Sequence, residues 1–181
     1  MLQRPGVQIL LSSDSRGWSS LYASVQRESP FEGAFDAVAD HAVVLHLDGP
    51  VMVHCRNSRG EHSRLYQAGS FVMIPGGTDV RVRLGGTARS LHLYLRRALI
   101  EELASEMINR DPKHIEILPR FGERDPLLVS LMHGIIDALH DEDQTARPYV
   151  DHLSRALAAP FDPSIFDRDN QRELGRCRCA H

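Results

Sequence analysis

The sequence lacks the features that mark several common classes of protein. It contains no run of about 20 apolar residues, the length that a membrane-spanning helix needs. A Pro-Gly pair interrupts its first residues, MLQRPGVQILLSS, where a secretory signal has an unbroken apolar stretch. Its 21 Lys and Arg residues are scattered among 24 Asp and Glu residues, so no basic block offers phosphate contacts. We therefore expect a soluble, cytoplasmic chain that by itself binds neither a membrane nor DNA.

Cysteine is also scarce. Of the three cysteines, Cys55 stands alone in a predicted strand, and Cys177 and Cys179 lie near the last residue. This usage is typical of a reducing compartment. We interpret the terminal C-x-C as unpaired, since it could hold a metal only if another chain supplied ligands. Cys55 lacks a neighbouring cation that would lower the pKa of its thiol, and the sequence predicts no catalytic nucleophile.

The rest of the composition is that of one globular domain. The chain has 181 residues, of which 42% are hydrophobic, enough for one substantial core. Between about residues 20 and 95, turn sequences such as Asp48-Gly49-Pro50 separate short runs with strand character. With no helical pattern between them, these runs predict an antiparallel sandwich or barrel. The predicted strands lie at 21–27, 42–47, 51–56, 62–67, 70–75, 79–84 and 89–95.

The hydrophobic period changes after residue 96. Residues 97–108 carry apolar side chains four apart, which is helical spacing. Asp125-Pro126 combines an N-cap with proline at the first helical position, and predicts a helix to about residue 140. A further helix is predicted at 147–159, and the short link makes the two an antiparallel hairpin. Residues 160–181 are rich in charge and carry two prolines among their first few residues, which predicts a poorly ordered tail.

The order of these parts resembles a known family. Gly69, Pro75 and Gly77 follow a G-x5-P-x-G spacing within AGSFVMIPGGT, and RFGERDPL opens the helical pair. With LHLDGPV and SLHLYL in the same order, they resemble the amino-terminal cupin-type sensor domain of AraC-family transcriptional regulators. The resemblance implies a mostly β domain over residues 1–159: an antiparallel cupin-like barrel (a double-stranded β-helix, or jelly roll) at about 18–95, followed by a helical part. It also implies a non-enzymatic role, in which the barrel binds a small organic effector and the hairpin forms a homodimer.

The resemblance ends near residue 159. Regulators of this family continue into two helix-turn-helix motifs of roughly 90 to 100 residues, whereas only 160–181 follow here. DNA would thus be bound only through a part that this chain does not contain. A natural truncation, a deliberately shortened chain and a frame change would each explain this; we favour the frame change, because the helix pattern stops abruptly in LSRALAAP. A free-standing partner that titrates a full-length regulator is a further alternative.

Metal-binding cupins resemble one another in two ligand motifs that this sequence does not keep. Aligned on Gly49 and on the G-x5-P-x-G set, the ligand positions are occupied by Phe35 or Asp36, Ala37 or Val38, Ala42, and Val80. Only Asp36 could bind a metal there, and a transition metal needs about three protein donors. We therefore predict no metal and no cofactor. The alternative is a small cupin enzyme with a degenerate or displaced metal site.

Six residues are candidates for an effector pocket. Three are apolar and share one face of the strand at 79–84, and three are polar contacts on other strands. His46 and His92 each stand between two leucines, so each faces away from these leucines. Each is either a polar contact in the pocket or a hydrogen-bonded histidine beneath the helices. His41 faces away from the barrel interior if Ala42 faces it. The six candidates are Val80, Val82, Leu84, His46, His92 and Tyr94.

The predicted helix that starts after Asp125 carries a broad apolar stripe. Its width exceeds what a helix with one buried side needs, so one side could cover the barrel while the other contacts a second chain. Symmetric pairing of two identical chains is the commonest way to bury apolar helix surface that the single chain does not cover. The predicted dimer interface comprises Leu127, Leu128, Leu131, Met132, Ile135 and Ile136.

Overall fold

A computed structural model describes residues 6–108, 117, 119–141 and 146–159. The segment 160–181, for which the sequence predicts a poorly ordered tail, lies outside these residues. Along the described chain the elements are β1 (Val7–Ser12), β2 (Leu21–Glu28), β3 (Phe31–Phe35), β4 (His41–His46), β5 (Val51–Asn57), β6 (Gly60–Tyr66), β7 (Phe71–Ile74), β8 (Val80–Leu84), β9 (Ala88–Leu95), α1 (Arg97–Ile108), β10 (Arg120–Glu123), α2 (Pro126–His140) and α3 (Ala146–Ala158).

The strands form two antiparallel sheets that face each other. One has the order β1-β2-β9-β4-β7-β10, and the other has the order β3-β8-β5-β6. Neighbours in both sheets are mostly far apart in sequence, as in a jelly roll, and the three helices cover the larger sheet from outside. The predicted fold class, a mostly β cupin-like barrel with a helical part, is confirmed, and each predicted strand and helix is present.

Three strands were not predicted: β1, β3 and β10. β1 and β10 form the two edges of the larger sheet, so the barrel extends beyond the predicted range of 18–95. In β1 the pairing register with β2 shifts between Ile9 and Leu11. β10 has four residues and a register shift between Phe121 and Glu123. Such bulges break the alternation by which strands are recognised, and four residues are too few to show it.

The two faces of the larger sheet have different partners. Its outer face carries the fully buried Leu45, Leu91 and Leu93, which pack with α2 in the main core. Its inner face contributes to a smaller cluster inside the barrel, which includes Val53 and Leu84 of the opposite sheet. Because side chains alternate along a strand, β4 and β9 connect the barrel interior to the helical layer through adjacent residues.

Gly76 and Gly77, at the end of the G-x5-P-x-G segment, lie in the turn between β7 and β8, whereas Gly69 lies in the turn between β6 and β7. Gly77 has a φ of +77°, which residues with a Cβ rarely adopt, and its N–H donates to the carbonyl of Val38 at 2.7 Å. A Cβ added to Gly76 would lie 2.1 Å from the carbonyl oxygen of Ala39. The segment therefore has a structural role: it lets the β7–β8 turn approach the loop that precedes β4.

The helical hairpin forms as predicted. Asp125 Oδ1 accepts from the backbone N–H groups of Leu127 and Leu128, at 2.9 and 3.1 Å, and so caps α2. α3 packs closely on α2, since a Cβ on Gly134 would lie 2.9 Å from the hydroxyl of Tyr149. Ser20 Oγ, just before β2, donates to Asp151 Oδ1 of α3 at 2.7 Å, which joins the hairpin to the barrel.

The predicted dimer interface is wrong for three of its six residues. Leu128, Met132 and Ile135 are at most 1% exposed and lie in the core between α2 and the larger sheet, where no partner chain can reach them. Leu131 and Ile136 are partly buried against the same core, and Leu127 is 64% exposed. The stripe is broad because α2 is covered by the sheet on one side and by α3 on another. Dimerisation itself stays a prediction.

Candidate functional site

The two sheets enclose a cavity of about 220 Å³. From the larger sheet, β4 contributes Ala42, Val44 and His46 to its lining. Ala42 pairs with Tyr94 of β9, and Val44 pairs with His92, so all these side chains project from the same face. The opposite wall includes β8.

The cavity brings together all six residues that the sequence singled out. Its lining includes Val80, Val82, Leu84, His46, His92 and Tyr94. The leucines beside the two histidines lie in the helical core, so both histidines face the barrel interior. The alternative, in which they lie beneath the helices, is therefore wrong. The expectation for His41 is confirmed: Ala42 lines the cavity, and His41 Nδ1 instead accepts from the N–H of Gly76 at 3.1 Å. That the cavity holds an effector stays a prediction.

One end of the cavity is closed and the other meets solvent. Glu28, His46 and Tyr66 lie at the closed end, and each is less than 10% exposed. Asp36 and Val38 lie at the open end, in the loop after β3, and are exposed. A molecule that enters past this loop would pass Asp36 and the apolar walls before it reaches Glu28, His46 and Tyr66.

Glu28 is the buried charge of the closed end. Its Oε2 accepts from Ser90 Oγ at 2.8 Å and lies 3.3 Å from His92 Nε2. Burial alone would raise the pKa of Glu28, but the contacts with His92 and Ser90 outweigh it and hold the pKa below its ordinary value. Glu28 is therefore an anion at neutral pH.

His46 is buried at the closed end of the cavity. Its side chain is 5% exposed, and its Nδ1 contacts no donor or acceptor among the described residues. Its ring packs against that of Tyr66, with 4.8 Å between the centroids. Burial lowers the pKa of His46 to about 4, although the charge of Glu28 acts in the opposite direction. The imidazole is thus neutral at physiological pH.

Two further groups in the lining have raised pKa values. Burial raises the pKa of the Cys55 thiol to about 11, and burial raises the pKa of Tyr66 to about 12. Both groups stay protonated at neutral pH. Cys55 is not the thiolate that nucleophilic catalysis requires, in agreement with the sequence.

The sequence did not identify Glu28 or the aromatic side chains of the wall. Glu28 pairs with Ala88 at the end of β2, one residue beyond the predicted strand. Because Glu28 is polar, it did not extend the apolar pattern by which the strand was predicted. Ser24, Gln26 and Glu28 nevertheless occupy every second position of β2 and so share one face of the strand. Phe31 and Phe35 belong to β3, which was not predicted. The hydrophobic walls also include Val53, Val72 and Ile74.

The ligand positions of metal-binding cupins lie in this cavity but do not fit a metal. Phe35, Asp36, Val38, Ala42 and Val80 all belong to the lining. Of these, only Asp36 has a side chain that binds metals. In the part of the chain that the structure describes, no three His, Cys, Asp or Glu side chains are grouped to hold an ion.

Ser90, His92 and Glu28 do not form a catalytic triad. In such a triad the serine and the carboxylate contact different nitrogens of the histidine. Here Ser90 Oγ, at 2.9 Å, and Glu28 Oε2 both contact Nε2, and Ser90 is fully buried. The arrangement instead fixes Glu28 and His92 in place.

Comparison with known proteins supports the fold. No family model and no curated protein matches the chain. Among solved structures, the AraC-like transcriptional activator CuxR is 15% identical and aligns over 87% of this chain with a TM-score of 0.59. The two chains share a fold. The alignment covers 61% of the activator, so its further activities and partners are not carried over by this similarity.

Other similarities are more partial. A cupin domain from Bordetella pertussis Tohama I is 15% identical, with a TM-score of 0.40 over 53% of this chain and 99% of that one. Hydroxypropylphosphonic acid epoxidase from S. wedmorenis is 12% identical, with a TM-score of 0.36 over 42% of this chain and 44% of the enzyme. At these scores neither bears on the function of this chain.

As for membranes, none of the described helices combines the length and the apolar character that a spanning segment requires.

Proposed function

We propose that this chain is the effector-sensing and dimerisation domain of an AraC-like transcriptional regulator, and that the barrel cavity is its effector site. The observation that carries the proposal is the cavity of about 220 Å³ between the two sheets, whose lining is mostly apolar and includes the buried side chains of Glu28, His46 and Tyr66. A small organic ligand that fills this space would bury its apolar part against the walls and direct its polar part to these three groups.

The composition of the lining supports a small-molecule site. Such sites are concave and mostly apolar, with a few polar groups that orient the ligand. Here valine, isoleucine and phenylalanine form the walls, and Glu28, His46 and Tyr66 meet at the closed end. The role does not require a metal, and among the residues at the cupin ligand positions only Asp36 has a side chain that binds metals.

The strands β4 and β9, which line the cavity on one face, contact the helices on the other. His46 and His92 face the cavity, while Leu45 and Leu91 on the same strands pack against the helical layer. An effector that shifts β4 or β9 would therefore alter the packing of α2. In a regulator, such a shift would change the populations of dimer arrangements, and thus how helix-turn-helix parts outside this chain reach DNA.

The surface of the hairpin is the proposed dimer contact. Leu127 of α2 is 64% exposed and Tyr149 of α3 is 51% exposed. Both are large and apolar, and Leu127 is the one exposed member of the stripe that the sequence predicted. The fold shared with an AraC-like activator extends over 87% of this chain, and so includes residues of the helical part as well as the barrel.

A thermal-shift screen of small organic molecules tests the proposal. A ligand at about 100 times its Kd stabilises the folded state by about 2.7 kcal/mol, so Tm should rise by several degrees. Val82→Phe, which places a ring in the cavity, should abolish the response. Arg83→Ala, on the exposed face of the same strand, should retain it. A screen without responses, or responses that Val82→Phe leaves intact, would contradict the proposal.

Metal analysis separates the sensor from a cupin enzyme. We expect purified protein to contain less than stoichiometric iron, manganese, nickel or zinc. A stoichiometric metal that is lost in His46→Gln or His92→Gln would favour the enzyme.

A further inference from the structure

We infer that the cavity selects a small amine, bound as its ammonium cation, with a compact apolar body, over anionic molecules of the same size. The inference rests on the proposed function, because it assumes that the cavity binds an effector. It adds the chemical class of that effector, which follows from the charges, acceptors and volume of the lining.

The lining is rich in acidic side chains and offers no Lys or Arg to a bound anion. Glu28, Asp36 and Asp40 belong to it, and none of the described residues that line the cavity is Lys or Arg. Asp40 is paired with Arg96 at 2.6 Å, and Asp36 is exposed at the open end, which leaves Glu28 as the acidic group that a bound molecule meets at depth. His92 Nε2 lies 3.3 Å from Glu28 Oε2 and already contacts that carboxylate, so a carboxylate or phosphate placed there would face Glu28 with no Lys or Arg of the lining to bind it.

The closed end offers a carboxylate oxygen to an ammonium group. Both contacts of Glu28 with described residues are made by Oε2, and Oε1 accepts no hydrogen bond from any of them. His46 of the same lining is neutral, so it does not repel a cation. An ammonium group has three N–H donors and no acceptor, so it matches the free oxygen of Glu28.

The apolar and aromatic walls of the cavity fit the uncharged part of such an amine. An engineered apolar cavity of about 150 Å³ holds benzene, and this one is about 220 Å³. The volume accommodates one ring with a short substituent. Phe31, Phe35, Tyr66 and Tyr94 contribute aromatic surface. Aromatic faces attract cations, and this contribution grows where water is excluded.

Three probes of nearly the same shape test the inference: benzylamine, benzyl alcohol and benzoate. Calorimetric titration into the wild-type chain at neutral pH should show benzylamine binding at least about tenfold more tightly than benzyl alcohol, because a hydrogen bond to a charged group exceeds a neutral one. Benzoate should bind least. The Kd for benzylamine should also increase with salt only weakly, since the pair is buried.

Substitution of Glu28 identifies the group responsible. Glu28→Gln preserves the shape of the side chain, and should reduce benzylamine affinity to that of benzyl alcohol while leaving the alcohol nearly unchanged. The matched control is Glu32→Gln, the same change of charge on the exposed face of β3. It should leave all three affinities unaltered. If Glu28→Gln does not fold, the order of the three probes on the wild-type chain decides the question.

The outcomes separate this inference from the proposed function. Equal binding of amine and alcohol, tighter binding of benzoate, or no binding of any probe would overturn the amine inference. If other molecules in the thermal-shift screen still bind and lose binding in Val82→Phe, the sensor proposal stands without it. If nothing in the screen binds, both fail.

Discussion

The imidazole ring of His46 lies against the phenol ring of Tyr66, with 4.8 Å between their centroids. This contact joins β4 of the larger sheet to β6 of the smaller one across the closed end of the cavity. It buries a titratable group in a place where its charged form is poorly solvated. The stability of the barrel should therefore depend on pH through His46.

We expect the wild-type chain to lose stability as the pH falls from about 6.5 to about 4. The pKa of His46 falls from 6.5 to about 4 on folding. Above this window the imidazole is neutral in both states; within it the unfolded state binds a proton that the folded state does not, so unfolding becomes easier. The full loss is about 3 kcal/mol.

Urea unfolding at a series of pH values checks this expectation. The comparison is with His46→Phe, which retains a ring against Tyr66 but cannot titrate. The difference between the two free energies of unfolding should change across the window and stay constant above it. The neighbouring Glu28, His92 and Asp48 are present in both proteins, so their direct contributions to the difference largely cancel. Parallel pH profiles would show that His46 is not buried as described.

Cys55 should react slowly with alkylating reagents. Burial raises the pKa of its thiol to about 11, and the residue is 3% exposed. At pH 8 the thiolate fraction is then about two orders of magnitude below that of an unperturbed cysteine. Iodoacetamide labelling followed by peptide mass spectrometry, in native buffer and in urea, measures the ratio of rates. Similar rates in the two conditions would contradict the position of Cys55 in the barrel.

Gly76→Ala should destabilise the barrel. Its Cβ would lie 2.1 Å from the carbonyl oxygen of Ala39, a backbone atom that cannot rotate away. Overpacking of this kind costs about 1 to 3 kcal/mol or more. Gly86→Ala is the control, since its Cβ would be 3.4 Å from Val51 Cγ2, an ordinary contact. Equal Tm values for the two variants would show that the β7–β8 turn does not approach the loop before β4.

Leu127→Glu should weaken the proposed dimer without unfolding the chain. The side chain is 64% exposed, so a charge there costs the monomer little, whereas in an apolar interface it would be desolvated. Analytical ultracentrifugation should show a dimer for the wild type and an increase in its Kd of about tenfold or more for the variant. A circular dichroism spectrum like that of the wild type serves as the control for folding. A wild-type chain that remains monomeric would contradict the dimer proposal.

The sequence predicted most of the fold because alternation and helical spacing are strong in it. β8 was identified because its apolar residues alternate with two arginines. The leucines on either side of His46 and His92 showed that these histidines lie on the opposite face of their strands from the leucines. Where the pattern was interrupted, prediction failed. The bulges of β1 and β10 and the short β3 concealed three strands.

The errors in the site have a different physical cause. Periodicity shows which face of α2 is buried, but it does not show what buries it, so Leu128 and Met132 were assigned to a partner chain instead of to the sheet. Glu28 was missed because a charged residue gives no core signal. Its position depends on Ser90 and His92, which come from another strand and are far away in sequence.

A crystal structure of the chain with the tightest ligand from the thermal-shift screen tests the central claim most directly. The account predicts that the ligand lies between the two sheets, with a polar atom within hydrogen-bonding distance of Glu28, His46 or Tyr66 and its apolar part against β8. A ligand bound outside the barrel, with the space beside His46 and Glu28 filled only by water, would contradict it.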